Sequence, residues 1–394
     1  MLIMFVQLIC KNREEKQMEE LYEVLGALCE REGVQIEERG GHVEILVCPQ
    51  GKIVAREDGK DLILSSNTRH GGPGFHAFVV DLFKDIEEEI PGDYELDDDL
   101  DYARDENFDR LVQQYEQEID YVRQLVLEEP GFKDRNYMFD ETYYLPKAEA
   151  GQVLTASGDM DEHEFRAKDA AELMDHFYVW NNWDRDGRFF RNAALTLLAK
   201  ESYGEFSKMN EQTEKVANEI CDDLEIAFRL DPTLGLPIDA YKKLISVLGR
   251  DNKLEGAIEM DGEAVSYRTR EVYHIFEDVR IVAAGTAERS YDPATQSVFL
   301  TSPFKEEQEW AWLLQASKQP SILPDLKSVQ EQEPEFRKDD SVLWLEEYKQ
   351  DGIYTIDAMI RDNMRDLYIH GVARSEAERD YLKTCIEESG FTTL

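Results

Sequence analysis

Apolar residues recur along the chain at two spacings, one suited to strands and one to helices. Met1 to Cys10 is an apolar run rich in β-branched and aromatic side chains, which predicts a buried first strand. Between Glu14 and Arg31 the apolar positions Met18, Leu21, Tyr22, Leu25 and Leu28 follow the spacing of an amphipathic helix. Strands are expected at Val43–Cys48, Lys52–Arg56 and Asp61–Ser66, separated by Pro49-Gln50-Gly51 and Asp58-Gly59. A Gly-rich loop then leads into a helix from Phe75 to Ile90, which Pro91-Gly92 stops. The order β-α-β-β-β-α predicts a mainly antiparallel sheet with helices on one face.

Beyond residue 92 the pattern changes three times. An acidic connecting segment, 93–158, carries one helix marked by Leu111, Tyr115, Ile119, Val122 and Val126. The span 159–250 reads as helical throughout, with helices at Asp161–Tyr178, Arg185–Lys200, Asn210–Arg229 and Ile238–Leu248. Residues 251–394 read as a second sheet-plus-helix region. Strands are expected at Ala257–Glu259, Val265–Val272, Val279–Ala283, Ser297–Thr301, Ser341–Tyr348, Tyr354–Met359 and Leu367–His370. Helices are expected at Phe304–Ala316 and Ser375–Glu388, with Pro320–Pro334 as a loop. The expected fold class is α+β: antiparallel sheet-plus-helix domains at 1–92 and 251–394 flank the acidic segment and the helical middle.

Composition narrows the function. The 394 residues include 44 Lys plus Arg against 85 Asp plus Glu, a net charge of −41, while 42% of residues are hydrophobic. That apolar fraction fills real cores, so the chain is neither a disordered acidic protein nor a linker. A strongly negative chain repels nucleic-acid backbones and anionic membranes, so neither is an expected partner. No apolar run approaches the ~20 residues that span a bilayer. The N-terminal run lacks a basic flank and a small-residue cleavage site, so it does not read as a secretory signal. Five cysteines without CxxC spacing read as reduced, buried thiols, and the expected location is the cytoplasm.

The charge is uneven. Asp81 to Arg110 holds 14 acids and three bases, a net of −11 in 30 residues, together with Tyr94, Leu96, Leu100, Tyr102 and Phe108. Acids mixed with apolar anchors suggest a contact surface. Asp97, Asp98, Asp99 and Asp101 are therefore candidate contacts for a basic protein partner, with Trp310 and Trp312 as further candidates.

His70-Gly71-Gly72-Pro73-Gly74 is the sharpest local motif. Similar letters occur in the oxyanion loop of some α/β-hydrolases, but the chain has no Gly-x-Ser-x-Gly nucleophile elbow. What remains is an anion- or ligand-binding loop using His70, Gly71, Gly72, Gly74 and His76, or a plain strand-to-helix turn whose glycines supply positive φ. Asn182-x-Asp184-x-Asp186-Gly187 opens like a calcium loop but puts Ala193 where the closing carboxylate belongs, so Asp184 is expected to cap a helix. The aromatic cluster Phe177-Tyr178-Val179-Trp180-Asn181-Asn182-Trp183 reads as packing. No catalytic residue, metal ligand or cofactor is assigned.

Three functions follow from the sequence. The first is a non-catalytic protein whose acidic surface binds a basic partner, as immunity and inhibitor proteins do. The second is an enzyme or small-ligand binder built on the Gly-rich loop. The third is an acidic assembly or housekeeping protein kept soluble by its charge.

Overall fold

The computed structural model describes residues 4–128, 144–202, 211–303, 310–337 and 341–392. The chain forms two compact units: Met1–Phe139 with Ala148–Ser266, and Asp140–Lys147 with Tyr267–Leu394. It is an α+β protein with antiparallel sheets towards both ends.

The first unit opens with β1 (Phe5–Lys11), α1 (Glu15–Glu32), β2 (Gln35–Arg39), β3 (His42–Cys48), β4 (Gly51–Asp58), β5 (Asp61–Asn67), α2 (Pro73–Glu89) and β6 (Asp93–Asp98). These strands make one sheet in the order β2-β3-β4-β5-β1-β6. Alternation along β1 sends Val6, Leu8 and Cys10 into the core. Leu21, Leu25 and Leu28 of α1 and Phe75, Val79, Leu82, Phe83 and Ile86 of α2 are buried. Reciprocal bonds between Glu14 and Gln17 start α1, and Gly33 ends it in the left-handed region at φ 67°.

Two strands in this sheet have no counterpart in the expected order, β2 and β6. The second is the larger correction. Asp93–Asp98, expected within a connecting segment, is an edge strand paired antiparallel with β1, with Leu8 opposite Leu96. A short turn of helix, α3 (Tyr102–Asp105), and the long α4 (Phe108–Glu128) follow. Leu111, Tyr115, Ile119, Val122 and Val126 form the buried stripe of α4.

After β7 (Tyr144–Pro146), which belongs to the second unit, come the hairpin β8 (Gln152–Thr155) and β9 (Gly158–Asp161) and a helical region. Its helices are α5 (Glu162–Ala167), α6 (Ala170–Phe177), α7 (Gly187–Lys200), α8 (Glu211–Leu230) and α9 (Ile238–Leu248). The expected single helix over Asp161–Tyr178 is split in two, because Asp169 caps a new start by accepting the Glu172 amide. Leu197, Leu198, Ile220, Leu224, Tyr241 and Leu244 are the core of the α7–α9 cluster. A two-residue parallel pair, β10 (Gly235–Leu236) with β11 (Ile258–Glu259), closes it.

The second unit holds β12 (Glu271–Phe276), β13 (Val279–Ala284), β14 (Glu288–Asp292), β15 (Ser297–Thr301), β16 (Trp312–Ser317), α10 (Leu326–Glu331), β17 (Glu335–Phe336), β18 (Val342–Gln350), β19 (Ile353–Asp362), β20 (Arg365–Ala373), α11 (Glu376–Glu388) and β21 (Gly390–Phe391). Seven strands pair in the order β14-β15-β16-β20-β19-β18-β17, and four in the order β21-β13-β12-β7. Leu382 and Ile386 of α11 share a core with Val279, Ile281, Leu314, Ile356 and Ile369.

Three expectations fail here. Trp312–Ser317 is a strand rather than the end of a helix, while 304–309 lie outside the described residues. The expected loop Pro320–Pro334 contains a 3₁₀ turn at Pro320–Ile322 and α10. The strand expected at Val265–Val272 is a 3₁₀ turn at Tyr267–Thr269 followed by β12.

Candidate functional site

The Gly-rich loop joins β5 to α2 and packs against the segment that follows α6. The Trp180 amide donates to the Gly71 carbonyl and the Gly74 amide to the Trp180 carbonyl, each at 3.0 Å. Gly72 has φ 99°, and a Cβ there would stand 2.5 Å from the Trp180 carbonyl oxygen. A Cβ on Gly74 would overlap the Trp180 ring and the Asn182 carbonyl. The glycines therefore permit a close backbone approach. The Gly71 amide donates to the Thr68 carbonyl at 3.2 Å and the His76 amide to that of Gly72 at 3.1 Å, so these amides are spent inside the protein.

His76 is wholly buried at the centre of a polar relay. Its Nε2 lies 3.0 Å from Asp98 Oδ1 and its Nδ1 2.8 Å from Thr68 Oγ1. Tyr115 donates its hydroxyl to the Thr68 carbonyl at 3.0 Å. The Leu100 and Ala103 amides donate to Asp98 at 2.9 and 2.7 Å. Burial pushes the Asp98 carboxyl up, but His76 and the two amides outweigh it and hold the group below its ordinary value. An ionised carboxylate only accepts, so Nε2 donates to Asp98. The relay ties β6 to α2, to the end of β5 and to α4.

This corrects the roles expected of two residues. Asp98 has a side chain only 3% exposed and is an internal partner of His76, not a surface contact. His76 faces no solvent. His70 takes no part in the relay. Its Nδ1 is buried without a partner, and burial, reinforced by Arg69 and Lys200, pulls its pKa down to about 4. Beneath the loop Arg69 and Glu118 form a buried ion pair at 2.8 Å.

The other acids of the segment are on the surface. Asp93, Glu95 and Asp97 alternate outwards along β6, while Tyr94 and Leu96 are half-buried. Asp99 is exposed and accepts the Phe5 amide at 3.1 Å. Asp101 is exposed in the left-handed region at φ 59°. The two tryptophans of the second unit separate: Trp312 is buried beside Tyr381, and Trp310 is half-buried under the Arg374 guanidinium at 4.4 Å. Trp312 is thus a core residue, and its expected role in partner contact is corrected. The expected cap Asp184 is also replaced, since Asp186 accepts the Phe189 amide at the start of α7.

Sequence reasoning missed a cleft of about 370 Å³ in the first unit. One wall is α2, with Phe78, Asp81 and Asp85, and the other is the segment Trp180–Arg185. Arg185 stacks on Trp180, Phe78 and Phe189 at 4.8, 5.2 and 5.7 Å and donates to the Glu32 carbonyl at 2.9 Å. Trp183 is 50% exposed and rests edge-on against Phe108 at 5.5 Å and beside Tyr102 at 6.2 Å. Burial, countered by Lys84 and reinforced by Glu106 and Asp85, pushes the Asp81 carboxyl up to about 6. The nearby Tyr102 hydroxyl is buried without a hydrogen-bond partner. Burial raises it first, and Asp81, Glu106, Asp105 and Asp98 add to that. The available signal was the aromatic run 177–183, whose mixed exposure no periodicity reveals.

A second His–Asp pair occurs in the other unit. Asp357 on β19 and His370 on β20 stand opposite in register, 2.6 Å apart. Among the described residues, no three His, Cys, Asp or Glu side chains converge to hold a metal, and no helix is long and apolar enough to cross a membrane. No known family, curated protein or solved structure matches the chain.

Proposed function

We propose that this chain is a non-catalytic interaction protein whose acidic surface binds a basic protein partner. The observation that carries the reading is Trp183, a half-exposed tryptophan held by Tyr102 and Phe108 beside Asp81, Asp85 and Asp184. Interfaces draw most of their binding energy from a few large anchors, with tryptophan prominent among them, and surrounding charge sets rate and selectivity. The exposed acids Asp97, Asp99 and Asp101 extend the same field from β6 to the start of α3. Masking a basic, nucleic-acid-binding surface, as immunity and inhibitor proteins do, is one task this surface suits.

The test is the association rate of the partner identified by co-purification. The double variant Asp97→Lys, Asp99→Lys is expected to slow association about tenfold at low salt. An unchanged rate would sink the reading. Asp98 is excluded from this test because its loss would unsettle the fold.

A further inference from the structure

We propose that the cleft between α2 and Trp183 receives an arginine side chain of that partner, with Asp81 as its carboxylate and Trp183 as its stacking surface. This deepens the reading above and rests on it. The cleft has four acids and two cations to account for. Arg31 is taken by Asp85 and Glu32. Arg185 lies against three rings and donates to the Glu32 carbonyl, with the Glu32 carboxylate acting on its charge. Asp81 and Asp184 are left with no hydrogen bond or ion pair to their side chains among the described residues. Lys84, the cation acting on Asp81, is itself paired with Glu106 at 2.6 Å.

An unpaired carboxylate that has lost part of its hydration gains most from a cation that brings hydrogen-bond donors with it. Arginine fits better than lysine here. Its planar fork meets a carboxylate with two bonds, and its flat face stacks on an indole. The fold already shows this chemistry: Arg185 holds its guanidinium against the Trp180 wall of the same cleft. Trp183, with half its surface open, is the matching plate left vacant.

The probe is an octa-arginine peptide titrated calorimetrically into the whole protein at about 20 mM salt, where surface charge is little screened. Trp183→Ala is expected to weaken binding about tenfold, the equivalent of ~1.4 kcal/mol. Asp81→Asn is expected to weaken it by a similar factor. Asp351→Asn, an exposed acid in the second unit, serves as a control for net charge and should change affinity less than about twofold. Thermal melts establish that each variant is folded, and Asp81→Asn keeps the test alive should the tryptophan variant unfold. Equal binding by wild type and both cleft variants overturns the cleft assignment and leaves the acidic-surface reading standing. No binding of the peptide at all overturns both. Tighter binding of octa-lysine than of octa-arginine overturns the choice of arginine.

Discussion

Replacing Asp81 by Asn should stabilise the free protein, and only at neutral pH. The folded carboxyl titrates near 6 and the unfolded one near 3.8, so the folded state binds the extra proton between those values. Stability linked to this group is therefore full below pH 3.8 and is lost as pH rises through about 6. Each tenfold change in a proton equilibrium is ~1.4 kcal/mol, which sets an upper limit of ~3 kcal/mol for this displacement. Asp81 is only half-buried, and screening by solvent reduces the effect to ~1 kcal/mol. For a unit of this size that is ~2 °C in Tm. Thermal unfolding followed by circular dichroism at about pH 7.5 and about pH 4 should show Asp81→Asn more stable at the first and equal to wild type at the second. A variant less stable at neutral pH, or one whose gain is the same at both, would refute the burial of an unpaired carboxylate. The gain should accompany a loss of peptide binding, as expected where a site holds a group the fold alone would not choose.

Other perturbations probe the structure around the cleft. Asp98→Ala should destabilise the first unit by ~3 kcal/mol in urea unfolding, because it strands buried His76 and two amides. A cost below ~1 kcal/mol would contradict the relay. The same carboxylate, held below 3.8, contributes stability above that value and loses it as pH falls through its lower folded pKa, so wild type should be more stable than Asp98→Asn at neutral pH and lose that advantage on acidification. Gly74→Ala should cost ~2 kcal/mol or more by forcing Trp180 and Asn182 away, whereas Gly40→Ala meets no neighbouring atom and pays only for its φ of 56°. Burial pushes Cys10, Cys221 and Cys385 up to about 12 and Cys29 to about 11, so these four thiols of the native protein should react slowly with an aromatic disulfide reagent at about pH 8, and five thiols should be released on unfolding. Rapid labelling of more than one thiol in the native protein would contradict that burial.

The N-terminal strands and helices were legible in the sequence because their apolar spacing is regular and their turns carry Gly or Pro. The strand β6 was not, for an identifiable reason. Asp-Tyr-Glu-Leu-Asp-Asp is poor in strand formers, and only Tyr94 and Leu96 mark its inner face. Its place at the sheet edge comes from pairing with β1, a long-range contact invisible to local pattern. The segment Trp312–Ser317 misled in the opposite way. Leu, Gln and Ala favour helix, yet Trp312, Leu314 and Ala316 alternate inwards between β15 and β20. Of the expected surface acids on β6, Asp97 differs from Asp98 only in which way the pleat turns it, and a one-residue alternation of that kind separates contact from core. The cleft needed the structure outright, since Asp81 and Trp183 stand about a hundred residues apart in the chain.

The most direct test of the central claim is the salt dependence of association with the protein's own partner. Between about 50 and about 500 mM salt the Debye length contracts about threefold. The acidic-surface account predicts a basic partner whose association rate falls about tenfold or more across that range, and falls less steeply for Asp97→Lys, Asp99→Lys. A partner that is itself acidic, or a rate that does not move with salt, would contradict it.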